Sequence, residues 1–203
     1  MLEGTIELKG QPKDRAGTTY YDDFGRPYSV EMDRRTIFDL FPPNWPRVHH
    51  VGRLDKDTTG LLLMTDDGGL IHRWTSPKHH VPKVYEVQTA RPVEPGQVQR
   101  LLDGVVLDDD PKPVRAEGCE ATGDHALRLT LVQGKYHQVK RMVAAVGNHC
   151  EGLHRSAFGV VTLEDGPAGG LAPGQWRWVQ AAERAALTAR AAAPKLSAAA
   201  PPR

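Results

Sequence analysis

The stretch from Val51 to Gly68 constrains this chain more than any other. Charged and hydroxyl residues fill Gly52–Thr59, and at Gly60 the sequence passes into Leu61-Leu62-Leu63-Met64, an uninterrupted apolar run of strand length. The run ends in the turn-forming Asp66-Asp67-Gly68-Gly69. A buried strand entered through a loop that carries Arg53, Asp55, Lys56 and Asp57 gives a charged edge on a rigid support, a common way to hold a reactive carboxylate in place. A single Asp in such a loop is ordinarily a helix cap or an Asx-turn. Asp55 and Asp57 also fit a carboxylate pair of the kind that cleaves glycosidic bonds, with a separation that sequence does not fix.

A second run has the same economy. Leu127, Leu129 and Leu131 alternate with Arg128 and Thr130, the period of a half-buried strand, and Gly134 breaks it. Val139, Met142, Val143 and Val146 then follow helical spacing, with Gly147 placed as a C-terminal cap. The first turn of that helix carries Gln138, Lys140 and Arg141, a geometry that can aim cations and amides at a neighbouring site. Taken alone, it is also an ordinary amphipathic helix with a basic face in water.

Around these runs the pattern is mixed. Short strands are predicted near Thr5–Leu8 and Thr18–Tyr21, a helical turn at Thr36–Leu40 stopped by Pro42-Pro43, a helix through Leu70–Trp74, a strand at Lys83–Ala90 and a helix at Pro95–Asp103. Residues 104–118 hold a further strand or two, Leu153–Leu163 two more, and Gln175–Val179 a last one. Strands and helices without strict βαβ alternation indicate an α+β fold. We divide the chain into a divergent N-terminal part (1–44), a core (45–181) and an Ala/Pro-rich tail (182–203) expected to be a frayed helix followed by disorder.

Composition narrows the class. No stretch approaches the roughly 20 apolar residues of a membrane span, and the N-terminus lacks a signal-peptide pattern. Cys119 and Cys150 stand far apart, which argues for reduced thiols in a cytoplasmic protein and against a zinc site. The net charge of +1 hides a segregation: basic residues gather at Arg53–Lys56, Arg73–Lys83 and Lys135–Arg141, acidic ones at Asp103–Asp110. Brought together by folding, the basic groups would form one positive face.

Residues 52–62 match at every fixed position the Gly-Arg-Leu-Asp-x-x-Thr-x-Gly-Leu-Leu signature of the pseudouridine synthases that modify ribosomal RNA, and the chain is therefore identified as resembling that family. Gly134-Lys135-Tyr136-His137-Gln138-Val139-Lys140 resembles the family's Gly-x-x-His-Gln-Val-(Lys/Arg) motif, and Lys83-Val84-Tyr85 its Lys-x-Tyr element. Arg73-x-Thr75-Ser76-Pro77-Lys78-His79-His80 and the continuation through Asn148-His149 resemble the RsuA branch, which acts on small-subunit RNA.

The resemblance implies a largely antiparallel mixed sheet with flanking helices and an RNA pseudouridine synthase activity. Asp55 would be the nucleophile on a flipped-out uridine, Lys140 its ion-pair partner and Tyr85 a support for the base, with Leu131 lining the pocket. Arg53, Lys83, His137, Gln138 and Arg141 would contact the RNA. No cofactor or metal is needed, the partner is ribosomal RNA or an assembling small-subunit particle, and a monomer is expected. The alternative is a catalytically silent RNA-binding or assembly module of the same fold; a hydrolase using Asp55 and Asp57 is a more distant rival. Two family features are not found: the small S4-type RNA-binding domain, and the Asn/Tyr-Lys-Pro-x-Gly element, of which Pro12–Gly17 is a poor echo.

Overall fold

The computed structural model describes residues 3–7, 19–21, 27–29, 37–41, 48–108, 110–163 and 170–189. The Pro12–Gly17 segment, Thr18, Thr36, the Pro42-Pro43 stop and the tail beyond Ala189 lie outside the described residues.

The apolar run of the first motif becomes β5 (Thr58–Thr65). Its side chains alternate between two different cores: Leu61 and Leu63 pack with Val51, Trp74, Val81 and Phe158, whereas Leu62 and Met64 pack with Ile37, Phe41 and Val48. Covering both faces explains why the run is continuous rather than alternating. Nine described strands form one sheet around it. Besides β5 these are β1 (Glu3–Glu7), β4 (His49–His50), β6 (Lys83–Thr89), β9 (Gly118–Gly123), β10 (Ala126–Leu131), β11 (Cys150–Phe158), β12 (Val161–Thr162) and β13 (Trp176–Trp178). The order is β13-β1-β5-β11-β6-β10-β9, with β4 on β5 and β12 on β11. All its pairings are antiparallel except β5 with β11, where Leu153, His154 and Arg155 run beside Thr58, Thr59 and Gly60. The short pairs β2 (Thr19–Tyr21) with β3 (Pro27–Ser29), and β7 (Val105–Leu107) with β8 (Asp110–Val114), stand apart. The α+β class and the mixed, mostly antiparallel sheet are as the sequence indicates.

Four α-helices are described. The Asp-Asp-Gly-Gly turn starts α1 (Gly68–Thr75), where the Asp67 carboxylate accepts from the Gly69 and Leu70 amides at 2.8 and 3.2 Å. Helices α2 (Pro95–Asp103) and α3 (Gln138–Ala145) close a third core over β6 and β10, built on Val87, Leu101, Leu127, Leu129, Leu131, Val139, Met142 and Val143. Side chains of α2 finish α3: Arg100 donates to the Ala145 carbonyl at 2.7 Å and Gln97 to the Val146 carbonyl at 3.4 Å. With its C-terminal end held, α3 presents its first turn to the β5 loop.

The tail differs from expectation over its first residues. α4 (Ala181–Thr188) is docked, with Leu187 buried in the core that holds Trp74 and Phe158. Leu187 lies so close to the left-handed Gly159 that a Cβ there would approach it to 2.3 Å. One apolar side chain in an Ala-rich stretch is enough to seat a two-turn helix when a bare glycine turn faces it.

Candidate active site

The loop before β5 is held from below. Thr58 N–H donates to the Asp55 carbonyl at 2.9 Å, closing a tight turn. Gly60 has φ +112°, and a Cβ on it would lie 2.3 Å from the Arg155 carbonyl oxygen and 2.5 Å from its amide nitrogen, so the signature glycine permits the close approach of β5 and β11. From β11, Arg155 is almost fully buried; its Nε donates to the Leu61 carbonyl at 2.8 Å and Nη1 to the Arg53 carbonyl at 3.3 Å. The neighbouring His154 Nδ1 hydrogen-bonds with the Thr59 hydroxyl at 2.8 Å. Two successive residues of one strand thus tie the signature loop at three points.

Asp55 emerges from this brace half-buried, and His137 Nε2 lies 3.7 Å from its Oδ1. His137 reaches it from the start of α3 in a left-handed conformation, φ 45° and ψ 35°, which costs a non-glycine residue of order 1 kcal/mol. The conformation is fixed by its neighbours: Gln138 N–H donates to the Lys135 carbonyl at 3.2 Å, Lys135 N–H to Gln138 Oε1 at 2.9 Å, and Arg141 Nη1 to the Tyr136 carbonyl at 3.1 Å. The two sequence motifs therefore meet at one carboxylate.

Lys140 is not where the resemblance puts it. Its Nζ binds Asp57 Oδ1 and not Asp55. The turn at 55–58 directs the two carboxylates differently, leaving Asp57 exposed and within reach of α3. This ion pair pulls the Asp57 carboxyl below its usual range, the Lys140 hydrogen bond being the main cause. Which of two aspartates two residues apart faces a helix depends on the turn, and spacing does not reveal it.

Three more positions take unexpected roles. Lys83 on β6 is buried; Nζ donates to the Val81 carbonyl at 3.1 Å and stands 5.2 Å from the centre of the Phe158 ring. Burial, reinforced by the Arg155 charge, lowers its pKa to about 8. It belongs to the floor rather than to an RNA-facing surface. Gln138 is buried as well, spending its amide on Lys135 and Met142 Sδ. Leu131 is core, opposite Lys83 in the β6–β10 register. Tyr85, half-buried, sits between Leu129 and Arg155 in register and so flanks the loop brace. Arg53 is exposed, and only its carbonyl is held.

Arg155 and His154 were missed by motif reading. A signal exists nonetheless: Leu153, Arg155 and Ala157 share the same alternation, which places a guanidinium on an apolar face.

Residues 27–145 match the family model for RNA pseudouridylate synthase, and the chain belongs to that family. Among its relatives, the ribosomal small subunit pseudouridine synthase A of Pasteurella multocida is 45% identical over 152 residues, 74% of this chain and 64% of that protein. The protein of the same name from Yersinia pestis is 44% identical over 193 residues, covering 92% and 80%. The chain thus spans less than two thirds of the first relative's length. A crystal structure of a pseudouridylate synthase superposes with a TM-score of 0.74 at 37% identity, over 92% of this chain and 73% of that one. The RsuA-type resemblance read from the motifs agrees with these names.

Proposed function

We propose that this protein isomerises uridine to pseudouridine in small-subunit ribosomal RNA, with Asp55 as the essential carboxylate. The observation that carries the reading is the convergence of the Gly-Arg-Leu-Asp loop and the Tyr-His-Gln-Val helix on Asp55, in a chain of this family. The reaction breaks the N1–C1′ bond, turns the uracil in place and joins C5 to C1′, so the base must leave its stack and the reacting groups must hold still. Asp55 acts at C1′, at the uracil ring or as a base on the C2′ proton. Tyr85, beside the braced loop, supports the base. Lys140 serves by tying Asp57, and with it the loop, to α3. Arg53 contacts RNA from the exposed rim.

The catalytic domain comprises the core (45–181) together with the N-terminal part, as the pairing of β1 with β5 and β13 supports. The site of action is cytoplasmic, the enzyme works as a monomer, and its target is the RNA alone or in an assembling particle. Among the described residues no helix is long and apolar enough to cross a membrane.

The test uses small-subunit RNA tritiated at uridine C5, whose label is released when C5 forms the new bond. Wild type should release tritium, and Asp55→Asn should fall by at least about a thousandfold while folding normally. A folded wild type that binds this RNA and releases nothing, free or in assembly intermediates, would leave the silent module as the better description.

A further inference from the structure

Tyr136 is the most exposed large hydrophobic residue described, at 75%, and it stands beside the site. Its ring stacks on that of His137 with centroids 3.9 Å apart and planes 17° from parallel. A ring covered on one side and still three-quarters exposed has its other face open. The stack is not a loose surface contact. It is set by the left-handed backbone of His137, whose other function is to bring Nε2 to Asp55, and Arg141 grips the Tyr136 carbonyl behind it. Lys135 and Arg141 lie in the same segment and bring positive charge beside the platform, while the Lys140 ammonium is engaged by Asp57.

We infer that the outer face of Tyr136 is a binding subsite for a nucleobase, the one next to the uridine extruded toward Asp55. The inference rests on the proposed RNA chemistry and extends it to a flanking position. Flipping one base leaves its neighbour without a stacking partner on that side; the Tyr136–His137 pair replaces the lost surface with a π-face, which accepts any base and favours purines by area. His137 is then the hinge between two functions, with one ring face supporting the platform and one nitrogen beside the carboxylate.

Three measurements test this. On tritiated small-subunit RNA, Tyr136→Ala should raise KM by about 5- to 150-fold with kcat little changed, and Tyr136→Phe should match wild type. Binding of fluorescein-labelled oligouridine at fixed salt should weaken by a similar factor in Tyr136→Ala alone, whether or not tritium release is detected, so failure of the reaction and failure of the platform are separable. Once the modified uridine is mapped, removing the base on one side of it should cost wild type that same factor and cost Tyr136→Ala nothing. Unaltered KM and oligouridine binding in a folded Tyr136→Ala, a loss shared by Tyr136→Phe, or additive losses with every flanking abasic site would each overturn the inference.

Discussion

Gly60 is where residue identity limits the site most sharply. Its φ and the 2.3 Å approach of a Cβ to the Arg155 backbone leave no rearrangement short of separating β5 from β11. Gly60→Ala should therefore lower stability by about 3 kcal/mol, read as a fall in the urea midpoint, and should lower activity further by displacing the loop. The signature glycine is a packing requirement between two strands, separate from any flexibility of the loop. Asp57 and Lys140 show the opposite case, in which residue type is clear and partner is not. Both were visible in the sequence as candidates, but the pairing depended on a turn whose geometry is set by a backbone hydrogen bond from Thr58.

At the scale of elements, β11 does for the site what β5 does for the core. Arg155 fixes one loop carbonyl, that of Arg53, and one carbonyl of β5, that of Leu61, while its Nη2 is buried with no hydrogen bond. Losing the two bonds costs a few kcal/mol, and removing a buried charge with an unsatisfied donor returns a comparable amount. Arg155→Met should consequently change unfolding free energy by no more than about 1 kcal/mol, yet reduce kcat/KM by about a hundredfold, because an unbraced loop misplaces Asp55. A large stability loss in step with the activity loss would show that the strand only holds the fold.

Most elements were legible from local pattern: β6, α2, β10 and α3 fall almost on the expected residues, whereas β5 contains the expected Leu61–Met64 run but starts three residues earlier, at Thr58, in what reads as loop. β9 was not, since Gly-Cys-Glu-Ala-Thr-Gly is a mostly exposed edge with no apolar alternation to read. Nor was the β5–β11 pairing, which joins distant segments and leaves no periodic trace. The basic motifs were legible as well, but the division of Lys83 and Gln138 into the interior was not, because burial of a polar residue depends on what the other elements bring against it.

Over the whole molecule, the floor beneath the site carries charge into the interior. Lys83 and Arg155 flank Phe158 at 5.2 and 5.6 Å, and burial brings Lys83 from an ordinary 10.5 down to about 8. Below pH 8 both folded and unfolded chains hold the proton, and the fold bears the cost of the buried charge. Between about 8 and 10.5 only the unfolded chain holds it, so this group makes stability rise with pH. Cys119 and Cys150, pushed up by burial to about 11, work the other way above pH 9, where the unfolded thiols ionise first. Lys83→Met should stabilise the protein by roughly 1–3 kcal/mol at pH 7 and remove the rise between pH 8 and 9, as measured by urea unfolding across that range. A mutant curve parallel to wild type would assign the lysine no such cost.

The parallel contact of β5 with β11 also sets an order in time. A ribosome delivers Asp55 long before it delivers His154 and Arg155, so a nascent chain carries the whole Gly-Arg-Leu-Asp segment with nothing yet beneath it. Pairings this distant in sequence close late in folding. The loop that carries Asp55 can gain its brace only once β11 has been made, and until then a chain on the translating ribosome, surrounded by RNA, holds an aspartate without that support.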